Sequence, residues 1–145
     1  MNRRIGSRDA RDEDGRMLCP LVLLIEDDPD LRAALAESLR AAGYAVREAS
    51  DGSQVVGQWS TVPTDWGDLL DADLVITDQR MPGASGIEVL SDLRRRDWET
   101  QVVIISAFVD EELRRAAYRL GALAVFSKPL RLEELIETVA KAVPV

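Results

Sequence analysis

The sequence contains no histidine and a single cysteine, Cys19, among its 145 residues. A disulfide framework, a Cys/His zinc site and histidine-based acid–base catalysis are therefore all excluded. Basic residues are also in deficit, because 18 lysines and arginines accompany 26 aspartates and glutamates, which gives a net charge of −8. Direct binding to nucleic acid needs a basic surface, so we expect no nucleic-acid partner. Carboxylates, hydroxyls and amines must carry any chemistry.

Long apolar runs are lacking too. The longest run near the N-terminus covers residues 18–25 and is interrupted by Pro20, so it is too short for a membrane span and unlike a signal peptide. We therefore expect a cytoplasmic protein with no membrane partner. The length suits one domain, which we place at residues 18–145. Residues 1–17 mix charges of both signs without apolar periodicity, which predicts a disordered tail.

Five short apolar segments alternate along the chain with five segments of helical spacing. The predicted strands are residues 21–25, 44–49, 74–77, 101–105 and 122–127. The predicted helices are residues 29–42, 87–98, 110–120 and 132–143, together with a short helix through Val55, Val56 and Trp59. This alternation predicts an α/β fold with a doubly wound, five-stranded parallel sheet and helices on both faces.

Several local features are interpreted as structural. Asp28 is predicted to cap the first helix, and Gly43 to end it. Residues 60–73 form a long connection, in which we expect Trp66 to pack on the domain rather than to anchor a partner. The arginines at positions 94–96 end a predicted helix, where the helix dipole favours cations, so we expect solvated side chains there.

Polar side chains follow four of the predicted strands. Glu26 and Asp27 come after the first strand, Asp78 after the third, Ser106 after the fourth and Lys128 after the fifth. Because parallel strands share one carboxyl edge, we expect these five side chains to converge. Clustered carboxylates need a counter-charge, and oxygen ligands suit Mg²⁺. With a hydroxyl and an amine nearby, they form a site for a phosphoryl group that a carboxylate can accept.

A simpler interpretation is that Lys128 only neutralises an acidic sheet edge. That interpretation explains the charge balance, but it does not explain why proline follows the lysine at one strand end while Ser-Ala stands at the neighbouring one.

In these motifs the chain resembles the receiver domain of two-component response regulators. The resemblance covers residues 20–143 and implies a CheY-like (flavodoxin-like) fold with strand order 2-1-3-4-5. The matching motifs are Leu-Ile-Glu-Asp-Asp at 24–28, Asp-Gln-Arg-Met-Pro-Gly at 78–83, Ser-Gly-Ile-Glu-Val-Leu at 85–90, Ile-Ile-Ser-Ala at 104–107, Gly-Ala at 121–122 and Lys-Pro at 128–129.

The resemblance implies a phosphoacceptor and a metal site. Asp78 would accept the phosphoryl group from the histidine of a sensor kinase or a phosphotransfer protein. Asp27 and Asp78 would bind Mg²⁺, Glu26 would assist through water, and the backbone carbonyl of Arg80 would complete the protein ligands.

The resemblance also implies a switch. Ser106 would move toward the phosphoryl group, and Lys128, followed in this family by a cis peptide at Pro129, would hold that group. The family often has an aromatic residue three positions before the lysine, where this chain has Val125. Phe126 cannot replace it, because neighbouring strand residues face opposite sides of a sheet.

Two positions beside the site are expected to set the phosphoryl lifetime. Arg80 follows the phosphoacceptor by two residues, and Phe108 follows Ser106 by two. A long cation and a large apolar ring are both poor at positioning water, so we predict slow self-dephosphorylation.

Three functions remain open from the sequence. The first is a stand-alone receiver that catalyses only its own phosphorylation and dephosphorylation. It would either pass the phosphoryl group on or bind a protein target through the face that the resemblance implies, between Asp110 and Lys141. The second is a constitutive scaffold of the same fold, which the residue at position 125 mildly favours. A Mg²⁺-dependent phosphohydrolase ranks last, because it needs an acid at position 80.

Overall fold

The computed structural model describes residues 19–54, 72–96 and 98–145, apart from the side chain of Gln54, and within them five strands form one parallel sheet. The strands are β1 Leu21–Ile25, β2 Ala45–Ala49, β3 Leu74–Asp78, β4 Gln101–Ser106 and β5 Ala124–Ser127. Their order in the sheet is β2-β1-β3-β4-β5, which confirms the predicted α/β fold.

Four of the five predicted helices lie in the described part of the chain. They are α1 Pro29–Ala41, α2 Gly86–Arg95, α3 Glu111–Arg119 and α4 Leu132–Ala142. The predicted helix through Val55, Val56 and Trp59 falls outside the described residues, as do the tail at 1–17 and Trp66. None of the described helices is long and apolar enough to cross a membrane.

The helix ends follow the local chemistry of the sequence. Asp28 caps α1 by accepting hydrogen bonds from the backbone N–H groups of Asp30 and Leu31, and Gly43 lies just beyond the helix at φ +107°. Only glycine adopts that conformation without strain. Ser85 and Glu88 form a reciprocal capping box at the start of α2. The predicted start and stop of the first helix are thus confirmed.

Two apolar layers sandwich the sheet. Alternate residues of the central strands face α2 and α3 on one side and α1 and α4 on the other. Leu23, Val75 and Ile104 belong to the first layer, which also holds Val125, whereas Phe126 packs against the second. The sheet therefore separates Val125 from Phe126, as the period of two in a strand requires.

One arginine at the end of α2 differs from the solvated side chain that we predicted. Arg94 donates from Nε to Leu120 O at 2.7 Å, from Nη1 to Trp98 O at 2.7 Å and from Nη2 to Gly121 O at 3.3 Å. Burial lowers the pKa of this guanidinium. The prediction that the Arg94 side chain is solvated is therefore wrong, because its guanidinium donates to three carbonyls in the segments before β4 and β5.

Candidate functional site

The carboxyl edge of the sheet brings three acidic side chains together. One carboxylate oxygen each from Glu26, Asp27 and Asp78 lies within 4.8 Å of the others. Glu26 follows β1 and is fully buried, Asp78 ends β3 and is 4% exposed, and Asp27 faces solvent. Adjacent parallel pairing of β1 with β3 produces this convergence.

Lys128, just after β5, provides the positive charge of the cluster. Its Nζ donates to Asp78 Oδ2 at 3.0 Å and lies 3.3 Å from Glu26 Oε1. The second contact is an ion pair without hydrogen-bond geometry. Among the described residues, Glu26 Oε1 is the one buried side-chain oxygen that receives no hydrogen bond. The peptide between Lys128 and Pro129 is cis.

The surroundings of Glu26 favour its protonated form. Burial and the nearby Asp78 charge raise its pKa, while the Asp28 N–H bond and the Lys128 charge oppose the rise; together they raise the pKa from 4.5 to about 7.

The pKa of Lys128 is raised as well, and for an amine this favours the charged form. Its burial alone would lower its pKa, but the hydrogen bond and charge of Asp78 and the charge of Glu26 outweigh burial and raise it. Lys128 therefore stays protonated beside Asp78 at any physiological pH.

Ser106 ends β4 and is fully buried. Its Oγ donates to Phe108 O at 2.9 Å and accepts from Phe108 N at 3.2 Å. The hydroxyl therefore holds the start of the β4–α3 loop. Asp78 pairs in register with Ile105, so Ser106 lies one residue beyond the strand position that faces the phosphoacceptor candidate.

Comparisons with known proteins agree with this architecture. The family model for the response regulator receiver domain matches residues 22–140. The chain belongs to this family.

Relatives of this receiver domain include one short protein and one long one. It is 29% identical to sporulation initiation phosphotransferase F of Bacillus subtilis, over 88% of this chain and 97% of that protein. It is 36% identical to the C4-dicarboxylate transport transcriptional regulatory protein DctD of Pseudomonas aeruginosa, over 86% of this chain but only 25% of DctD. The receiver domain of a putative LuxO repressor from Vibrio parahaemolyticus superposes with a TM-score of 0.75 at 25% identity, covering 87% and 91% of the two chains.

The donor set of this receiver domain fits a hard divalent cation. All three clustered side chains offer oxygen, which is the ligand atom that Mg²⁺ prefers. The buried Glu26 Oε1 lacks a hydrogen bond, and such an atom costs free energy unless a partner compensates it. Lys128 Nζ, 3.3 Å away, compensates part of that cost, and a cation bound at the cluster would add to the compensation.

Arg80 and Phe108 lie on the rim of the receiver domain beside the site. They line a groove of about 330 Å³, whose apolar wall includes Ile87 and Leu113. The Phe108 ring is 60% exposed, which is high for a large apolar side chain. Gln79, the residue after Asp78, also lines this groove, so the groove lies next to the carboxyl end of β3.

One polar residue next to the receiver site was not expected from the sequence. Arg32, inside α1, donates from Nη1 to the carbonyl oxygen of Glu26 at 2.7 Å. The sequence spacing does not predict this contact, because the acceptor is a main-chain atom. Whether the Arg32 side chain reaches that atom depends on how α1 packs against the end of β1.

Proposed function

We propose that this receiver domain is switched by phosphorylation of Asp78, with Mg²⁺ as cofactor and a sensor histidine kinase or a phosphotransfer protein as donor. The observation that carries the proposal is the protonated Lys128, 3.0 Å from Asp78 Oδ2 and beside two further carboxylates. A lysine in this position can stabilise the added charge of a phosphoryl group on Asp78.

The transfer is a displacement at phosphorus. A carboxylate oxygen of Asp78 forms a bond to phosphorus, and the bond from phosphorus to the histidine nitrogen of the donor breaks, leaving its electron pair on the donor imidazole. Lys128 pairs with a phosphoryl oxygen as charge develops. The Lys128 ammonium lies 3.0 Å from Asp78 Oδ2, which places a positive charge where the phosphoryl group would be added.

Asp27, Asp78 and the Arg80 backbone carbonyl are proposed to hold Mg²⁺, with Glu26 acting through water. The bound ion would neutralise charge on the three carboxylates and on the phosphoryl oxygens. Mg²⁺ usually retains several waters. The exposed Asp27 leaves room for them on the solvent side of the site, whereas Glu26 is buried.

Ser106 is proposed to be the switch. Its hydroxyl, which now binds the Phe108 backbone, would turn to a phosphoryl oxygen and release the β4–α3 loop. Phosphorylation would thereby shift the balance between two conformers of the face between Asp110 and Lys141. Because Val125 offers no aromatic ring, the loop at Phe108 is the route from Ser106 to α3.

The output is proposed to be contact with another protein or onward transfer of the phosphoryl group. The Bacillus subtilis relative is described as a phosphotransferase and is matched over 97% of its length, which supports onward transfer. DctD is a transcriptional regulator of which this chain spans a quarter, so a DNA-related output would need protein beyond the matched domain.

Intact mass measurement tests the phosphorylation. The native protein and Asp78→Asn are incubated with a small phosphoryl donor and Mg²⁺, with and without a chelator. We expect a single phosphoryl adduct on the native protein with Mg²⁺, and none on Asp78→Asn or with chelator present. A folded native protein that forms no adduct and binds no Mg²⁺ would favour the second candidate, a constitutive scaffold, which the absence of an aromatic residue at position 125 also favours.

A further inference from the structure

An arginine outside the acidic cluster holds the main chain between two of its members. Arg32 Nη1 donates to the carbonyl oxygen of Glu26 at 2.7 Å. That oxygen belongs to the planar peptide unit that joins Glu26 to Asp27. The hydrogen bond therefore fixes the orientation of the peptide from which the Asp27 side chain projects.

The residues on either side of Asp27 are tied down separately. Glu26 N donates to Ala49 O at 3.0 Å, and Glu26 Oε2 accepts from Asp28 N at 3.0 Å. Asp28 in turn caps α1 through its own carboxylate. Asp27 itself is exposed, so its direction depends on these flanking anchors, and Arg32 provides the one on the Glu26 carbonyl.

The positive charge of Arg32 has its own partner. Arg32 Nε lies 3.6 Å from Glu48 Oε1, and Glu48 Oε2 also pairs with Arg40 Nη2 at 3.2 Å. An unpaired cation this close would repel a bound metal ion, but Glu48 offsets that repulsion. The planar guanidinium can bind Glu48 and the Glu26 carbonyl together, which the single ammonium of a lysine does less well.

We propose that Arg32 is a positioning residue for the acidic site. It holds the peptide between Glu26 and Asp27 so that their carboxylates stay within reach of one divalent cation. This role rests on the proposed function, because it requires that Mg²⁺ bind at the cluster.

Mg²⁺ affinity, measured by titration calorimetry on the full chain, tests the role. In Arg32→Met and in Arg32→Lys we expect the Kd for Mg²⁺ to rise about 10-fold, the lower end of what loss of a supporting contact costs a metal site. Arg40→Met is the matched control, because Arg40 lies on the same helix and pairs with the same glutamate but donates to Val46 O. Its Kd should stay within about twofold of the native value.

Thermal unfolding in chelator separates positioning from general stability. If Arg32→Met binds Mg²⁺ as tightly as the native protein or more tightly, the contact does not position the site and the proposal is overturned. Equal weakening in Arg32→Met and Arg40→Met, with equal loss of stability, would overturn it as well. Should Arg32→Met not fold, Arg32→Lys carries the comparison. A folded native protein that binds no Mg²⁺ would instead overturn the proposed function, and the role of Arg32 with it.

Discussion

Two arginines at opposite edges of the sheet both donate hydrogen bonds to main-chain carbonyl oxygens, but their surroundings differ. At the amino edge, Arg94 donates to three main-chain carbonyls, those of Trp98, Leu120 and Gly121. At the carboxyl edge, Arg32 donates to one, that of Glu26, beside three clustered carboxylates. We expect the arginine that binds three carbonyls to contribute more to stability. We expect the arginine beside the clustered carboxylates to contribute more to cation binding.

The two edges also differ in how their charges are balanced. Arg94 joins three carbonyls from two loops of the chain, so we expect it to contribute to stability. The carboxyl edge collects Glu26, Asp27 and Asp78 beside one lysine, so the repulsion between carboxylates there would be relieved by protonation of Glu26 or by a bound cation. We therefore expect variants at the amino edge to change stability and variants at the carboxyl edge to change the proposed Mg²⁺ binding.

Arg94→Met should give the largest loss of stability. Removing three hydrogen bonds from a charged donor is expected to lower the free energy of unfolding by about 3 kcal/mol, while the Kd for Mg²⁺ stays unchanged. Denaturant unfolding in chelator measures the first quantity and calorimetry the second. The neighbouring Arg95 is the control, because its side chain is 66% exposed and pairs with Asp92 on its own helix; Arg95→Met should cost about 0.5 kcal/mol or less. Similar losses in both variants would contradict the structural role of Arg94.

Glu26→Gln should raise the free energy of unfolding instead of lowering it, and mainly at higher pH. The pKa of Glu26 is raised from 4.5 to about 7 in the folded protein, so the folded state binds the proton more tightly than the unfolded chain. Its contribution to stability is present below pH 4.5 and is lost as the pH rises through about 7. In chelator, Glu26→Gln should therefore lie within about 1 kcal/mol of the native protein at pH 5 and exceed its free energy of unfolding by on the order of 3 kcal/mol at pH 8.

The difference between the two proteins, rather than either curve alone, isolates Glu26 from the other titrating groups. At pH 8, saturating Mg²⁺ should make the native protein more stable than Glu26→Gln. A ligand that binds the folded state stabilises it in proportion to its affinity, and we expect the glutamate to support Mg²⁺ binding better than the glutamine does. A difference that does not change between pH 5 and pH 8 would show that Glu26 is ionised in the folded protein without a metal.

The sequence was most informative where a periodic pattern ends in a charged or conformationally special residue. The strands before Glu26, Asp78 and Lys128 were predictable because buried apolar runs stop at these polar side chains, and the parallel topology then required the side chains to converge. The contacts of Arg32 and Arg94 were not predictable. Their acceptors are carbonyl oxygens, which every residue carries, and the pairing depends on helix placement rather than on residue type.

The smallest free-energy change is expected at the rim of the site, away from Arg32 and Arg94. Arg80 and Phe108 line the groove that also contains Gln79, the residue after Asp78, and we expect neither side chain to position a water molecule for attack on a phosphoryl group. Arg80→Asn combined with Phe108→Glu should therefore speed loss of the phosphoryl group from Asp78 by about 10-fold, or roughly 1.4 kcal/mol of barrier. Decay of the phosphoryl adduct, followed by intact mass after removal of the donor, measures the rate, with each single variant as a control. An unchanged decay rate in the double variant would mean that these side chains do not govern access of water, and that the lifetime is set within the cluster of Asp78 and Lys128 itself.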